Sequence, residues 1–349
     1  MLKGFWNTLP VPIIGLSPMD GVTDAAFRYL TARHGKPDVI FTEFVSVEGI
    51  AAGAVRLLEE LRFDPIERPI VAQLFGADPS AFFKAAVVVS CLGFDGIDIN
   101  MGCPSKSVTG HGGGAALILD PDRAREIVRQ TRAGTEAWAN GLTPSQTGLP
   151  DQIIAVLPKL IEPRQPLPVS VKTRIGYDRP VIDRWIPTLL ETEPAVISLH
   201  GRTLKQLYTG EADWEAIGTA AAMIRSTETK LLGNGDVRTV TEARERCRQY
   251  ETAGALIGRA AQGNPWVFQD YIPTWTERLK VALEHARYFA RFFPEPAFVR
   301  MRKHLLDYIK GVEGAKEIRN SLMRVTCLSE VEAILAELIS TAETTSVIH

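Results

Sequence analysis

The sequence has few cysteines, and none of them forms a pattern that would hold a metal ion or a disulfide framework. Its four cysteines are Cys91, Cys103, Cys247 and Cys327, with no CxxC pair and no metal-ligand spacing. Structural disulfides belong to oxidising compartments. We therefore expect a cytoplasmic protein without structural zinc or another metal.

Long apolar runs are also missing. The longest, around residues 85–94, is interrupted by Ser90 and is much shorter than the ~20 residues of a membrane helix. Pro10 and Pro12 break the apolar residues near the N-terminus, where no basic region precedes an apolar core. We expect neither a membrane span nor a secretion signal.

The chain has no excess of charge of one sign. Its formal net charge is -2 over 349 residues, of which 45% are hydrophobic. This composition predicts a globular protein of one large or two ordinary domains, and it excludes a broadly basic protein. Any nucleic-acid contact must come from a local patch. Between residues 300 and 324, seven basic side chains stand against three acidic ones; the basic ones are Arg300, Arg302, Lys303, Lys310, Lys316, Arg319 and Arg324.

Short apolar runs recur along the first three quarters of the chain, and most are separated by helical patterns. We interpret eight of them as strands: Ile13–Met19, Val39–Phe44, Ile70–Gly76, Gly96–Gly102, Val169–Arg174, Val196–Arg202, Leu231–Val237 and Gly254–Arg259. Eight strands alternating with helices predict a (β/α)8 TIM barrel over residues 1–265. A doubly wound open sheet is the alternative, but Asp20-Gly-Val-Thr-Asp24 follows the first strand in place of a dinucleotide-binding glycine motif.

Two segments depart from eight plain repeats. Residues 134–168 are rich in glycine and proline and are longer than one crossover helix requires, so we expect an excursion there. Residues 266–349 show helical patterns without strand alternation. We expect them to form a small C-terminal all-helical domain, with Met301, Leu305, Tyr308 and Val312 on its apolar face and Arg300, Lys303 and Lys310 available on another.

Catalytic groups of such barrels come from the carboxyl ends of the strands. Here those ends carry Cys103, Lys172 and His200 on three successive strands, which indicates a reactive site. Cys103 precedes the triple glycine at 112–114, so we expect it on a mobile loop; a buried cysteine beside a flexible loop is the alternative. For His200, the alternative is a histidine of the protein core whose hydrogen bonds are satisfied there.

The ends of the last two predicted strands suggest a phosphate site. Asn234-Gly235 and Gly258-Arg259 offer backbone N–H groups and a guanidinium where barrel enzymes commonly bind phosphate. A phosphate-bearing cofactor therefore fits this part of the rim. Arg259 on a solvated rim is the alternative explanation.

The motifs at these positions resemble those of the tRNA-dihydrouridine synthases, and the resemblance covers nearly the whole chain. They are Ser17-Pro-Met-Asp-Gly-Val-Thr-Asp24, Gln73-Leu-Phe-Gly76, Gly93-Phe-Asp-Gly-Ile-Asp-Ile-Asn-Met-Gly-Cys-Pro-Ser-Lys106, Ser170-Val-Lys-Thr-Arg174, His200-Gly-Arg202, Asn234-Gly-Asp236, Ile257-Gly-Arg259 and the segment from Arg302-Lys-His-Leu305 to Arg319. The run Asn100-Met-Gly-Cys-Pro-Ser-Lys106 with its following glycines is the most specific.

The resemblance implies an FMN enzyme that reduces the 5,6 double bond of uridine in tRNA, with NADPH as reductant and Cys103 as proton donor. A free thiol titrates near ~8.5, so it can act as an acid at neutral pH. The residues expected to bind FMN are Pro18, Met19, Asp20, Gln73, Lys172, His200, Asn234, Gly235, Asp236, Gly258 and Arg259. Those expected to bind uracil and the adjoining RNA are Asn100, Arg174 and Arg202.

The resemblance also implies that residues 266–349 bind tRNA, and we expect a monomer. Two other functions stay open. A flavin barrel acting on a small free pyrimidine would share the cofactor residues without needing the basic helical segment. A non-catalytic RNA-binding protein would keep the basic segment but tolerate loss of the cofactor residues.

Overall fold

A computed structural model describes residues 4–158, 162, 164–312 and 314–346. Eight parallel strands pair in chain order and close into a barrel, with β8 hydrogen-bonded to β1. The strands are β1 Ile13–Leu16, β2 Ile40–Ser46, β3 Ile70–Phe75, β4 Gly96–Met101, β5 Val169–Gly176, β6 Val196–Thr203, β7 Lys230–Asn234 and β8 Gly254–Ile257. The predicted TIM barrel and all eight predicted strands are confirmed.

Helices cover the barrel and continue beyond it to the end of the described chain. They are α1 Ala25–His34, α2 Val47–Ala51, α3 Pro79–Cys91, α4 Lys106–Thr109, α5 Pro121–Ala139, α6 Asp151–Ile154, α7 Ile182–Leu190, α8 Trp214–Ile224, α9 Val240–Gln249, α10 Trp275–Phe292, α11 Arg302–Tyr308, α12 Ala315–Leu322 and α13 Leu328–Ser346. The predicted C-terminal helices are therefore present. None of the described helices combines the length and apolar character that a membrane span requires.

The sequence sets where many of these helices begin. Asp24, Asp78, Asp120 and Asp213 each precede a helix and accept a hydrogen bond from a backbone N–H of its first turn. Asp78 lies only three residues beyond the end of β3, so this cap fixes the point at which the chain turns back over the barrel.

The excursion begins later than the glycine pattern predicts. Gly134 is a buried residue inside α5, which continues to Ala139. A Cβ atom at Gly134 would lie 2.5 Å from the Phe83 carbonyl oxygen, so glycine here allows α5 to approach α3 closely. Between α5 and β5 the described chain forms a short 3-10 helix at Pro144–Thr147 and then α6. Residues 159–161 and 163 of this segment lie outside the described residues.

Two large apolar clusters form the interior. One joins the barrel strands to their surrounding helices, and the other joins α10, α11 and α13 to one another and to α1. Ala26 and Leu30 of α1 belong to the second cluster, together with Phe289 and Leu305 from the C-terminal helices. The C-terminal helices therefore pack directly on the helix that follows β1.

Candidate active site

A cavity of about 940 Å³ opens at the carboxyl ends of the strands. Its lining includes the candidate residues from all the predicted site motifs: Pro18, Met19, Asp20, Gln73, Asn100, Cys103, Lys172, Arg174, His200, Arg202, Asn234, Gly235, Asp236, Gly258 and Arg259. The barrel brings together residues that are up to 241 positions apart in the sequence, because parallel strands present their carboxyl ends at one rim.

Cys103 lies in a turn that begins at Asn100 and is held by several hydrogen bonds. The Asn100 side-chain oxygen accepts hydrogen bonds from the Gly102 and Cys103 backbone N–H groups, at 3.0 and 2.8 Å. The Ala115 N–H donates to the Cys103 carbonyl oxygen, and a Cβ at Gly114 would lie 2.8 Å from that oxygen. Gly114, the last of the three glycines, therefore lies close against the Cys103 backbone. The mobility of this loop stays a prediction.

The Cys103 thiol is half-buried, and burial raises its pKa above the ordinary value, with a further increase from the nearby Asp20 carboxylate. A hydrogen bond from the Ser105 backbone, and the charges of Arg174 and Lys172, act in the opposite direction. A thiol with a raised pKa stays protonated at neutral pH. This environment is the one that a proton donor requires, and it is unlike that of a nucleophilic cysteine.

Gln73 and Asn100 belong to one buried hydrogen-bond network. The Asn100 amide donates to the Gln73 side-chain oxygen at 3.2 Å, and the Gln73 amide donates to Asp98 at 2.7 Å. Ser170 donates to the other Asp98 oxygen at 2.7 Å. The network fixes the Asn100 side chain, which in turn fixes the backbone of Cys103.

Lys172 projects from β5 into the cavity lining, where its ammonium makes no hydrogen bond or ion pair with any described residue. The pKa of Lys172 is lowered to about 8, mainly by desolvation; the neighbouring Arg174 acts in the same direction, and Asp98 opposes it. A desolvated ammonium without a partner is costly. The site is therefore prepared for an anionic group beside Lys172.

His200 also lines the cavity and faces several cations. Desolvation lowers the pKa of its imidazole far below the ordinary value, and Lys172, Arg174, Arg202 and Arg259 lower it further. His200 is therefore neutral at physiological pH and can offer one N–H donor to a ligand.

Arg174 is a buried side chain anchored to two backbone carbonyls. Its Nε donates to Gly102 at 2.6 Å and its Nη1 donates to Thr203 at 3.1 Å. The first of these contacts holds the residue immediately before Cys103. Desolvation lowers the pKa of Arg174 from its high ordinary value, but a guanidinium remains charged at neutral pH.

Asp236 joins two arginines at the ends of β6 and β8. It accepts from Arg202 at 2.6 Å and from Arg259 at 2.8 Å. Its own pKa is lowered: burial opposes this, but the hydrogen bond from Arg202 and the Ala212 N–H favour the carboxylate. The preceding Gly235 has a φ of +126°, and a Cβ there would lie 2.5 Å from Ala212, so glycine is required at this turn.

Arg202 has donors with no partner. Its Nη2 bonds Asp236 and the Gly210 carbonyl, but Nε and Nη1 are buried without a hydrogen-bond partner among the described residues. Its side chain is 3% exposed. Buried charged donors are ordinarily satisfied, so these two groups favour an anionic or carbonyl-bearing ligand at this edge of the cavity.

Sequence reasoning missed three features of the site. Asp98 is fully buried within β4, and its polar place in an apolar strand was the available signal. Tyr208 is 67% exposed at the cavity mouth with the Arg259 guanidinium 5.4 Å from its ring centroid, and nothing in its local sequence marks it. Arg238 also lines the cavity, four residues beyond the end of β7.

The basic segment at 300–324 has internal contacts that the sequence did not predict. Lys303 and Lys310 are exposed as expected, but Lys303 also donates to the Gly21 carbonyl and Lys310 pairs with Asp307 at 2.6 Å. Arg302 and Arg319 donate to backbone carbonyls of their own region. Met301, Leu305 and Tyr308 are buried as predicted.

The comparison with protein families decides the classification. The family described as "Dihydrouridine synthase (Dus)" matches residues 15–137 and 149–344, which is most of the chain. This chain belongs to the dihydrouridine synthase family. The matched ranges contain every candidate residue of the cavity.

Two relatives agree with this family assignment. The "Probable tRNA-dihydrouridine synthase" of Staphylococcus aureus (strain COL) is 33% identical over 349 residues, covering 97% of this chain and 96% of that protein. The "Probable tRNA-dihydrouridine synthase 2" of Bacillus subtilis (strain 168) is 32% identical over 350 residues, covering 96% of each.

Solved structures offer a more distant likeness. DHODH from Eimeria tenella, in complex with ferulenol, superimposes with a TM-score of 0.47 at 12% identity over 74% of this chain and 81% of that chain. Morphinone reductase in complex with tetrahydroNAD has a TM-score of 0.40 at 13% identity, over 74% and 85% of the two chains.

Proposed function

We propose that this dihydrouridine synthase family member reduces the C5–C6 double bond of uridine in tRNA, with FMN as the hydride carrier and NADPH as the reductant. The observation that carries the proposal is that one cavity contains both a protonated thiol and cationic donors that have no hydrogen-bond partner among the described residues. Cys103 provides the acid, and Lys172 and Arg202 provide the cationic side.

The chain's residues fit FMN. Gly235 and Gly258 line the cavity near Arg259 at the proposed phosphate end, and the neutral His200 adds a donor. Lys172 suits the N1 and O2 edge of the ring because its charge would stabilise the anionic reduced form. Pro18 and Met19 supply apolar contact, and Gln73, Asn234 and Asp236 complete the polar lining with Asp20.

When bound and reduced, FMN supplies the hydride that uracil C6 accepts. The Cys103 thiol donates its proton to C5, and the resulting thiolate is reprotonated from solvent. Negative charge that develops toward the uracil O4 atom is quenched by this proton transfer, which is general acid catalysis. Asn100 holds the Cys103 backbone so that the thiol approaches from one fixed direction.

Arg174 and Arg202 are proposed to bind the uracil carbonyls and the adjoining RNA phosphate. Arg174 uses Nε and Nη1 for the fold, which leaves its Nη2 group without a hydrogen bond to any described residue. Arg202 contributes the two buried donors described above. Guanidinium groups suit both planar carbonyl and phosphate recognition.

The uridine would have to leave its stack, because Cys103 and the other proposed base-contacting residues line a cavity that a base within a helix does not enter. Residues 1–265 are proposed as the catalytic domain and residues 266–349 as the tRNA-binding domain. Within the latter, Lys316 and Arg324 are exposed basic side chains without an ion pair among the described residues.

Conversion of uridine to dihydrouridine tests the proposal. Purified protein is mixed with unmodified tRNA and NADPH, and the digested RNA is analysed by mass spectrometry for a gain of two hydrogens. Cys103→Ala should retain flavin and tRNA binding but turn over roughly 10²–10⁴-fold more slowly. Cys327→Ala, which changes a half-buried thiol far along the chain, is the matched control and should be unaffected.

Other outcomes would redirect the proposal. Turnover unchanged in Cys103→Ala would remove that residue from proton transfer. A protein that carries FMN and oxidises NADPH but leaves tRNA unmodified would instead support a reductase of small pyrimidines. Faster turnover with NADH than with NADPH would identify NADH as the reductant. Sedimentation in the presence of tRNA would test the proposed monomer.

A further inference from the structure

The loop between β1 and α1 connects the cavity to the C-terminal helices. Ser17, Pro18, Met19, Asp20 and Val22 from this loop line the cavity. The loop then ends at Asp24, whose side chain caps α1 by accepting from the Phe27 N–H at 3.0 Å. Any displacement of this loop therefore changes the cavity wall.

The Ser17 N–H donates to the Ile257 carbonyl and Arg28 donates to the Thr23 carbonyl, each at 2.8 Å, and bonds within the loop hold its middle. The Thr23 hydroxyl bonds both the N–H and the carbonyl of Met19, at 3.0 and 3.2 Å. Gly21 has a φ of +69°, which permits the tight turn. Asp20 is exposed and makes no side-chain hydrogen bond to the described residues.

Two consecutive residues of α11 contact this loop from outside. The Lys303 ammonium donates to the Gly21 carbonyl oxygen. The His304 Nε2 atom lies 2.9 Å from Asp24 Oδ2, and both side chains are 3% exposed. We propose that Lys303 and His304 are positioning residues, which hold the β1–α1 loop in the conformation that presents Met19 and Asp20 to the cavity.

The surroundings make this contact rigid. His304 packs beside Phe27 and His285, with ring centroids 5.8 and 4.8 Å away, and His285 bonds the Tyr308 hydroxyl. Asp24, His285 and His304 offer potential ligand atoms within 4.8 Å of one another. Because a hydrogen bond already joins Asp24 to His304, we interpret this cluster as a polar contact between the loop and the helices.

The consequence is a dependence of the cofactor site on the C-terminal helices. Those helices supply the donors, and the barrel loop supplies the acceptors. A shift of α11 would move Gly21 and Asp24, which flank the loop's turn, and thereby Met19 and Asp20. The inference rests on the proposed flavin role of the cavity, so its test needs a readout that is independent of tRNA turnover.

A second polar contact between α1 and the C-terminal helices provides a matched control. Glu284 of α10 pairs with Arg33 at 2.9 Å and with His34 at 2.8 Å. Those residues lie at the opposite end of the ten-residue helix α1, about 15 Å from Asp24. Glu284→Gln therefore loosens the same helices without touching the loop.

The experiment measures FMN dissociation constants by flavin fluorescence, together with kcat and KM for tRNA. Lys303→Met and His304→Leu should weaken FMN binding and lower kcat by about tenfold each, since a displaced cavity wall misaligns the reacting groups. The KM for tRNA should change less than kcat. Lys303→Arg and His304→Gln keep a donor and should recover most of the wild-type behaviour.

Glu284→Gln should lower the melting temperature while leaving FMN affinity within twofold of wild type. Equal FMN affinity in Lys303→Met, His304→Leu and wild type would overturn the inference. Lys303 is exposed, so Lys303→Met should fold and keep the test decisive even when His304→Leu does not. The two variants could show the predicted loss of FMN affinity while the wild-type protein leaves tRNA unmodified. That result would contradict the proposed reaction but support the positioning role.

Discussion

The cations of the cavity and those of the C-terminal helices are treated differently by the fold. In the cavity, Lys172 makes no hydrogen bond to the described residues and Arg202 has two buried donors without partners. In the C-terminal helices, Arg302 and Arg319 are bonded to backbone carbonyls, and Lys310 is paired with an aspartate. The cavity region keeps its charge for a ligand, whereas much of the helical charge supports the fold.

This difference shows that the number of charged residues in a segment does not give the number that are free to bind a ligand. The segment at 300–324 is locally basic by composition, but several of its side chains have internal partners. A cavity cation without a partner costs folding free energy unless an anion meets it. Ligand binding should therefore depend much more on the cavity cations than on any single helical one.

The largest effect should come from removing a cavity cation. Lys172→Met should reduce turnover by about 10² or more, because a preorganised charge at a reacting group commonly contributes that much. It should also weaken FMN binding. Steady-state kinetics at saturating tRNA, together with flavin fluorescence, measure both effects.

Lys310→Met is the matched control for Lys172→Met. Lys310 is 54% exposed and paired with Asp307, so its loss should alter turnover less than twofold. Comparable losses in the two variants would break the contrast between the regions.

The boundary between the two regions should show a pH effect. The pKa of Glu43 is raised to about 7, mainly by burial; Asp24 and Glu60 act in the same direction, whereas Arg28 and Lys303 oppose it. The folded protein therefore binds the Glu43 proton more tightly than the unfolded chain does. Its contribution to stability is present below about pH 4.3 and is lost as the pH rises toward 7.

Glu43→Gln should remove this dependence. The variant should gain stability relative to wild type between pH 5 and pH 8, by on the order of 2 kcal/mol, which thermal melts at both pH values would detect. Glu48→Gln, on the neighbouring helix α2, is a useful comparison. Because Glu48 accepts hydrogen bonds from backbone N–H groups, this variant should be less stable than wild type at both pH values. If the stability difference between Glu43→Gln and wild type were the same at both pH values, titration of Glu43 would not explain the pH effect.

The sequence predicted the barrel well because each strand is a short apolar run followed by a polar or glycine end. The rim then gathers Cys103, Lys172 and His200 by topology alone. What the sequence could not reveal was the use of each polar group. The bonds of Lys303 to Gly21 and His304 to Asp24 cross about 280 residues, at separations of 282 and 280, and no local pattern indicates them.

Gly134 shows the same limit in another form. Its presence suggested a break, but the need for close packing between α3 and α5 outweighed glycine's low helix propensity. Tertiary packing decided the structure there. Likewise Gly114, the last glycine of the triple, allows close packing against the Cys103 carbonyl.

The smallest effects should come from exposed cations of the C-terminal helices other than Lys303, which contacts the β1–α1 loop. Lys316→Gln and Arg324→Gln should each weaken tRNA binding a few-fold at ~0.15 M salt and reduce the slope of log affinity against log salt by about 1. Filter binding at several salt concentrations measures both. Lys310→Gln, whose charge is already paired, should reduce the slope by less. If all three variants lowered the slope equally, internal pairing would not decide which helical cations reach the RNA. Unchanged slopes in Lys316→Gln and Arg324→Gln would instead place the RNA on another surface.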